Sequence, residues 1–303
     1  MDISIIDMPL FYGCDNPGVE NGAKVLRDNN LLNIFKENHK VIDMGAVYIK
    51  HIDAINKYAA NSKMKYLDEV IHANIGLADK VYSALENNTL PLTIGGDHAL
   101  ALGSIAGASK YYGNDDIAVV WVDAHGDINT DETTPTGNIH GMPLAGSIGI
   151  GHDSLTNLYF NGQKVKPENV FLLAIRDLDI GELELIDKNN LNLWKIQDIK
   201  YKGLDTVLDE FKSLIKAKNI KNIHLSFDID ALDPVYVPGT GTPVENGLTF
   251  DEAKTILETI IGTNLIRSMD FVEFNPALDE NNKTIETCTE LLKIISNSFK
   301  NNI

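Results

Sequence analysis

A metal-binding pattern is formed by Asp123, His125 and Asp127, which directly follow a mostly β-branched apolar run at 117–121. Such a run is typical of a buried β-strand. In extended backbone, side chains two residues apart point to the same side, so these three can converge on one point. Carboxylates brought together without a cation repel each other, and a bound metal ion removes that repulsion. The alternative is a solvated acidic loop after a strand. If this motif were the only one in the chain, that alternative would be favoured.

Two further segments end in residues of the same kind. Asp228 and Asp230 follow the apolar run at 223–227 and again share one side of an extended chain. His98 follows a third apolar run, which breaks at the glycine pair 95–96. Because parallel strands present their carboxyl ends at one edge of a sheet, we expect these side chains to meet there. The predicted metal ligands are His98, Asp123, His125, Asp127, Asp228 and Asp230.

The charge of this ligand set indicates two divalent metal ions. Four carboxylates carry four negative charges. Two divalent cations cancel these charges, whereas one divalent cation would leave an excess of negative charge. Oxygen ligands with some imidazole and no cysteine favour Mn²⁺ over a structural Zn²⁺, although Co²⁺ and Fe²⁺ also tolerate this set. Two such ions about 3.5–4 Å apart can hold a water between them as hydroxide near neutral pH. The pattern therefore predicts a hydrolase with two Mn²⁺ per subunit.

Three motifs resemble the metal signatures of the ureohydrolases, the family of arginase, agmatinase and formiminoglutamase. They are Gly95-Gly96-Asp97-His98, the segment 123–130 and the segment 226–230. The resemblance extends over essentially the whole chain and is greatest to arginases of the bacterial type. It implies a binuclear manganese centre whose bridging hydroxide attacks a guanidinium carbon, so that L-arginine and water give L-ornithine and urea. It also implies a homo-oligomer, a trimer or a hexamer.

The long loop at 131–141 distinguishes arginase from agmatinase within this family. It resembles the arginase segment Ser-Gly-Asn-(Ile/Leu)-His-Gly, with Thr136 in place of the usual serine. Hydroxyl and amide groups there would bind the α-carboxylate of arginine, which agmatine lacks. The residues expected to do so are Asn129, Thr134, Thr136 and Asn138. A polar loop that caps itself through side-chain to backbone hydrogen bonds is the alternative.

Four more substrate contacts are implied by the resemblance. Asp179 is expected to contact the α-amino group of the substrate, with Glu182 beside it, although acidic residues also favour the start of a helix. Thr242 would line the guanidinium pocket. Glu273 would hold the guanidinium through charge-assisted hydrogen bonds.

Two residues are expected to move protons. Asp127 would accept the proton of the hydroxide and pass it to the leaving amine. His140 would carry protons between the site and solvent, because the pKa of histidine lies close to the operating pH. Agmatinase, or another guanidino-compound hydrolase, is the alternative within the enzyme class. A catalytically silent metal-binding homologue is the alternative outside it.

The composition of the 303-residue chain narrows the choice of partners. The formal net charge is −17, from 26 Lys and Arg against 43 Asp and Glu. This excess argues against nucleic acid or an anionic membrane as a partner and would weakly attract a cationic substrate. With only Cys14 and Cys288, neither a disulfide framework nor a cysteine metal site is expected. Together with the lack of a long apolar span, this predicts a cytoplasmic enzyme that acts on a small molecule.

The order of apolar patterns predicts a three-layer α/β/α fold with a mostly parallel sheet, in one domain over 1–303. Strands are expected before His98 and Asp228 and at 2–8, 39–44, 117–121, 170–175 and 265–275. Helices are expected at 23–36, 64–87, 99–112, 250–261 and 284–299. Thr249 and Glu252 predict a capping box at the start of the helix at 250–261.

Overall fold

Eight β-strands form one sheet in residues 2–300, the part of the chain that this computed structural model describes. They are β1 (Asp2–Met8), β2 (Lys40–Ala46), β3 (Leu90–Gly95), β4 (Ile117–Val122), β5 (Val170–Ile175), β6 (Asn192–Lys195), β7 (Asn222–Asp228) and β8 (Ile266–Val272). The strand order is β2-β1-β3-β8-β7-β4-β5-β6, and every neighbouring pair is parallel. The sheet is therefore wholly parallel.

Eleven α-helices of the described residues cover the two faces of this sheet. They are α1 (Gly22–Asp28), α2 (Leu31–Lys36), α3 (Leu67–Glu86), α4 (Ala101–Tyr112), α5 (Pro143–Ser147), α6 (Asp153–Thr156), α7 (Ile180–Lys188), α8 (Ile196–Lys202), α9 (Leu204–Ala217), α10 (Phe250–Ile261) and α11 (Lys283–Lys300). Helices α3 to α7 pack on one face, and α1, α2 and α8 to α11 pack on the other. The predicted three-layer α/β/α fold is confirmed.

Two hydrophobic cores result from this arrangement, one on each face of the sheet. The side chains of strand β4 alternate between the two cores, so this one strand contributes to both. Ala118, Val120 and Val122 belong to one core, whereas Val119 and Trp121 belong to the other. A strand buried on both faces needs a continuous apolar run, and this is the pattern that precedes Asp123.

Several element boundaries differ from the predictions. The helix expected at 23–36 is wrong, because the chain forms α1 and α2 with a break at Asn30, whose φ is 77°. The helix expected at 64–87 begins at Leu67, since Tyr66 has a left-handed backbone with φ 51°. Strand β8 ends at Val272 rather than at 275, because Glu273 turns the chain with φ 68°. The capping box of Thr249 and Glu252 is confirmed at the start of α10.

The strands that carry the predicted site are neighbours in the centre of the sheet. In space they follow the order β3, β8, β7, β4, β5, and their carboxyl ends lie at one edge because all are parallel. At the end of β3 the chain passes close to the main chain of Leu10, which a side chain at Gly96 would hit. Within residues 2–300, no helix is both long and apolar enough to cross a membrane.

Candidate metal centre

Two overlapping groups of metal-ligating atoms lie at the carboxyl edge of the sheet. In the first, ligand atoms of His98, Asp123 and Asp228 all lie within 4.8 Å of one another. In the second, Asp123, His125 and Asp230 meet the same limit. Asp123 belongs to both groups, so one carboxylate is shared by the two candidate metal-binding clusters.

The surroundings of His98 show that the first group fits a cation. Its Nδ1 lies 3.0 Å from Asp123 Oδ2, 3.0 Å from Asp228 Oδ2 and 3.2 Å from Asp127 Oδ2. His98 Nδ1 and Asp123 Oδ2 are both buried, yet neither has a hydrogen bond of acceptable geometry. Buried polar atoms in proteins nearly always have a partner, and a metal ion would supply one here.

The ring of His98 is held in place from two other directions. Its Nε2 lies 2.7 Å from Ser226 Oγ, which is within hydrogen-bond distance. The ring also stacks on Trp121, with centroids 3.9 Å apart and planes inclined by 8°. A metal-ligating histidine usually uses its second nitrogen in this way, which fixes the tautomer and the direction of the ligand atom.

The second group is more open to solvent than the first. His125 Nδ1 lies 3.2 Å from Asp230 Oδ2 and 3.4 Å from Asp123 Oδ1. Thr242 Oγ1 donates a hydrogen bond to Asp230 Oδ2 over 3.3 Å. The predicted guanidinium-pocket residue therefore touches a predicted metal ligand.

The electrostatics of the cluster reflect four carboxylates in a buried place. Burial raises the pKa of Asp127, Asp228 and Asp230, and the neighbouring carboxylates raise it further. Asp123 differs, because burial also opposes its ionisation but the two nearby imidazoles hold its pKa well below the usual range. Burial opposes the charged form of His98, but the surrounding carboxylates raise the pKa of this imidazole well above its usual value. In the metal-free protein, the aspartates with raised pKa values and His98 therefore tend to hold protons, and a cation bound at this site would compete with those protons.

Two of the predicted catalytic residues have unusual backbone conformations. Asp127 and Glu273 have φ values of 48° and 68°, in the left-handed region that non-glycine residues rarely adopt. Glu273 Oε1 accepts a hydrogen bond from the His98 backbone N–H over 2.8 Å and lies 3.5 Å from His140 Nδ1. Burial disfavours the imidazolium of His140, but Glu273 raises the pKa of this residue above its usual value.

A cavity of about 320 Å³ opens above this edge. All the predicted site residues except His98 and Asp123 line it, and these two are almost completely buried beside it. Asp177 also lines the cavity and was not predicted as a site residue. Its place in the segment Arg176-Asp177-Leu178-Asp179, two residues before Asp179, is the sequence signal that could have identified it.

The two acidic residues expected near the substrate amine also start a helix. Asp179 and Glu182 form the capping box of α7. Asp179 Oδ2 in addition accepts a hydrogen bond from Asn129 Nδ2 over 2.8 Å, which joins the two expected substrate-binding segments. Burial and the nearby Asp127 raise the pKa of Glu182 to about 7. The helix-start interpretation is therefore correct, and it places both side chains at the cavity.

The loop expected to bind a carboxylate is held by hydrogen bonds of its own. Thr134 Oγ1 accepts from the Gly137 backbone N–H over 3.0 Å, and Thr136 Oγ1 accepts from that of Asn138 over 3.2 Å. Lys65 Nζ donates to Asn138 Oδ1 over 2.8 Å, and Asn138 Nδ2 donates to the carbonyl of Cys14 over 3.0 Å. The side-chain amide of Asn138 thus already has partners on both ends.

Four residues that support the site were not predicted as site residues. Ser226 and Trp121 position His98, and Lys65 positions Asn138. Asp97 is fully buried and accepts hydrogen bonds from the backbone N–H groups of Gly13 and Ala99, and burial beside Glu273 raises the pKa of Asp97 to about 7. Ser226 and Asp97 lie inside the metal motifs, which is a usable signal, whereas no local pattern marks Lys65.

Comparison with known proteins agrees with this geometry. The family model described as the Arginase family matches residues 1–295. The arginase of Bacillus subtilis (strain 168) is 40% identical over 292 residues, which cover 96% of each chain. The arginase of Brevibacillus brevis is 39% identical over 295 residues and 97% of each chain. The solved structure of arginase from Bacillus caldovelox superposes with a TM-score of 0.92 at 36% identity and covers 98% of each chain. The chain belongs to the arginase family of hydrolases.

Proposed function

We propose that this protein hydrolyses L-arginine to L-ornithine and urea with two Mn²⁺ ions bound at the carboxyl edge of the sheet. The observation that carries the proposal is that one cavity is lined both by the ligand-bearing edge and by the polar loop at 129–138. The first provides hydrolytic chemistry, and the second provides donors for an α-carboxylate. The relatives from Bacillus subtilis and Brevibacillus brevis are both named arginase, which points to the same reaction.

Two Mn²⁺ ions, when bound, would lower the pKa of a water between them and make hydroxide available near neutral pH. One ion would be held by the first group, with Asp127 beside it, and the other by the second group. The unsatisfied His98 Nδ1 and the two-sided contacts of Asp123 support this division. The oxygen-rich ligand set supports Mn²⁺.

Glu273 would orient the guanidinium. Its carboxylate is buried, and the backbone N–H of His98 fixes one oxygen at the cavity floor. A planar guanidinium matches a carboxylate in geometry and charge, so it would be held with its carbon facing the two metal groups. Glu273 ends β8 with a left-handed φ of 68°, and its side chain lines the cavity, which supports this role.

Asp127 and His140 would handle the protons. Asp127 lies beside His98 of the first group and lines the cavity, so this carboxylate would accept the proton of the hydroxide and pass it to the leaving amine. His140 is partly exposed and lies at hydrogen-bond range from Glu273, so it connects the cavity floor with solvent. Asp179 and Glu182 would receive the substrate ammonium, and Asn129, Thr134 and Thr136 its carboxylate.

The test is urea release by chelator-stripped protein reloaded with Mn²⁺ and offered arginine and agmatine side by side. Urea from arginine, with little from agmatine, is the expected result. Urea from agmatine alone would overturn the substrate assignment, because the polar loop would then serve only its own conformation. Urea from neither would favour a silent homologue or another guanidino substrate.

We also infer a cytoplasmic homo-oligomer, a trimer or a hexamer, with no nucleic-acid or membrane partner. The ureohydrolase resemblance supports the assembly, and the net charge of −17 supports the lack of anionic partners. Light scattering on the purified protein tests the oligomeric state. A monomer at micromolar concentration would contradict it.

A further inference from the structure

Arg176 has an unusual environment for an arginine beside a cluster of acids. In residues 2–300, all five hydrogen bonds of its side chain go to main-chain carbonyls and none to a carboxylate. Nη2 donates to Asp230 O over 2.6 Å, to Leu232 O over 3.1 Å and to Val244 O over 2.8 Å. Nη1 donates to Ala231 O over 3.1 Å.

These bonds join two loops that reach the metal centre separately. One follows β7 and carries Asp230, and the other contains Val244, two residues after Thr242. Thr242 Oγ1 in turn contacts the Asp230 carboxylate. A planar guanidinium with fixed donors can hold several carbonyls in one arrangement, which a single ammonium cannot do.

The main chain of Arg176 extends the same connection to a third segment. Its backbone N–H donates to Ala124 O over 2.8 Å, and Ala124 N–H donates to Asp230 Oδ1 over 3.2 Å. A Cβ at Gly247 would lie 2.7 Å from Nη2, so the guanidinium fits closely against this loop as well. Arg176 is therefore the point at which the segments bearing His125, Asp230 and Thr242 meet.

Positioning is needed here because the carboxylates repel one another before a cation arrives. Asp230 lies in the same group as Asp123. The loop after β7 is held by a short helical turn and by main-chain hydrogen bonds to Leu248, and the Arg176 guanidinium adds bonds to the carbonyls of Asp230, Ala231 and Leu232. The guanidinium supplies both the hydrogen bonds that fix this loop and a positive charge close to the acids. Its effect should fall on the second metal group, whose ligand it holds, more than on the first.

We propose that Arg176 is a positioning residue for the His125–Asp230 half of the metal centre and sets the affinity of the second metal ion. This rests on the two-metal centre of the proposed function. Arg176 does not line the cavity above the metal groups, and within the described part of the chain its side chain donates only to main-chain carbonyls. It acts by fixing Asp230 and Thr242 through their main chains.

The experiment compares Arg176→Met and Arg176→Lys with a matched pair, Arg267→Met and Arg267→Lys. Arg267 also donates to two main-chain carbonyls, those of Asn264 and Ile266, but at the start of β8 on the opposite edge of the sheet. Each full-length protein is stripped with chelator and titrated with Mn²⁺ alone. Bound Mn²⁺ per chain is measured after equilibrium dialysis, and the spin coupling of adjacent ions is followed by electron paramagnetic resonance.

We expect wild type and both Arg267 variants to bind two ions with a coupled spectrum. Arg176→Met should keep the first ion and bind the second roughly 10- to 100-fold more weakly, as is usual when a residue supporting a metal ligand is lost. Arg176→Lys should bind the second ion with an affinity between those of wild type and Arg176→Met. If Arg176→Met does not fold, the affinity of Arg176→Lys tests the proposal.

Wild-type affinity for both ions in Arg176→Lys and Arg176→Met would overturn the proposal. An equal loss in the Arg267 variants would also overturn it, because the effect would then be general destabilisation. Fewer than two ions in wild type is a distinct result, since it would contradict the two-metal centre itself and the role of Arg176 with it.

Discussion

Two groups of buried histidine and aspartate lie close to each other in the sheet, and they differ in how their hydrogen bonds are satisfied. In the inner group, His224 Nδ1 lies 2.8 Å from Ser268 Oγ and Nε2 lies 3.0 Å from Asp270 Oδ2. Ser104 Oγ also donates to Asp270 Oδ2, although Asp270 Oδ1 has no partner. In the edge group, His98 Nδ1 faces three carboxylates and forms no hydrogen bond.

The difference teaches that a histidine beside an aspartate does not by itself mark a functional site. The inner group has one imidazole for one carboxylate, and two hydroxyls complete a buried network in which both imidazole nitrogens have partners and, within residues 2–300, only Asp270 Oδ1 has none. The edge group has four carboxylates for two imidazoles and opens to a cavity. Excess negative charge at an accessible sheet edge, and not the residue pair, is what indicates a metal centre.

The largest expected effect separates the two groups by activity. Asp127→Asn should lower kcat/KM for arginine by about 10³-fold or more, because the proton carrier is lost while the fold remains. Ser268→Ala in the inner group should change kcat/KM by less than about threefold, since its hydroxyl serves only packing and hydrogen bonding. Steady-state kinetics on folded, Mn²⁺-loaded variants measure both. Full turnover by Asp127→Asn would refute the assigned mechanism.

The next largest effect is on the free energy of unfolding, which should respond to Mn²⁺ differently when the edge group or the inner group is altered. Mn²⁺ at about 100 times its Kd should stabilise wild type by about 3 kcal/mol, and Asp228→Asn should lose most of this gain. Without metal, Asp228→Asn should be at least as stable as wild type, because burial and its neighbours already oppose the charged form.

The matched inner variant, Asp270→Asn, should behave in the opposite way. It should lose about 2 kcal/mol of unfolding free energy through disturbed buried hydrogen bonds and keep the Mn²⁺ gain. Denaturant unfolding with and without Mn²⁺ measures all three proteins. The same Mn²⁺ gain in Asp228→Asn and wild type would remove Asp228 from the ligand set.

A further effect concerns the pH dependence of stability and the carboxyl group of Glu182. The folded pKa of Glu182 is about 7 against an ordinary value of 4.5, so the folded state binds the additional proton in this window. Its contribution to stability is therefore fully present below about pH 4.5 and is lost as pH rises through 7. In metal-free protein the loss should be about 3 kcal/mol. Glu182→Gln should flatten the pH profile of unfolding free energy, and an unchanged slope would contradict the assignment.

The smallest effect concerns the threonine that replaces the usual serine. Thr136→Ser keeps the hydroxyl that accepts from the Asn138 N–H, and removes only an exposed methyl group. We expect KM for arginine to fall by no more than about threefold, because surface substitutions of this size change free energies by a few tenths of a kcal/mol. Agmatine kinetics should not change. A rise in KM would contradict this expectation, because it would mean that the methyl group itself contacts the substrate.

The positions of the ligand residues at the carboxyl edge of the sheet could be predicted, because the sequence pattern that marks them is local. Each ligand lies within a few residues of the end of an apolar run, and parallel strands bring such ends together. The first and last residues of elements were less predictable, since left-handed residues such as Asn30 and Glu273 end them without a marked pattern. Strand β6 and helices α8 and α9 were not predicted at all.

The contacts that support the ligands could not be predicted, because they join distant parts of the chain. Ser226 reaches His98 across 128 positions, and Lys65 reaches Asn138 across 73. Arg176 contacts carbonyls 54 to 68 positions away, and a carbonyl carries no side-chain signal. Hydrophobic periodicity and motif spacing contain no information on such pairs.

The central claim is that the edge group is a catalytic centre of two metal ions. The most direct test is a titration of chelator-stripped protein with Mn²⁺ in which urea release from arginine is followed against bound Mn²⁺ per chain. The account predicts little activity without metal and full activity only as the second ion binds. Full activity with a single ion, or activity that does not depend on Mn²⁺, would contradict it.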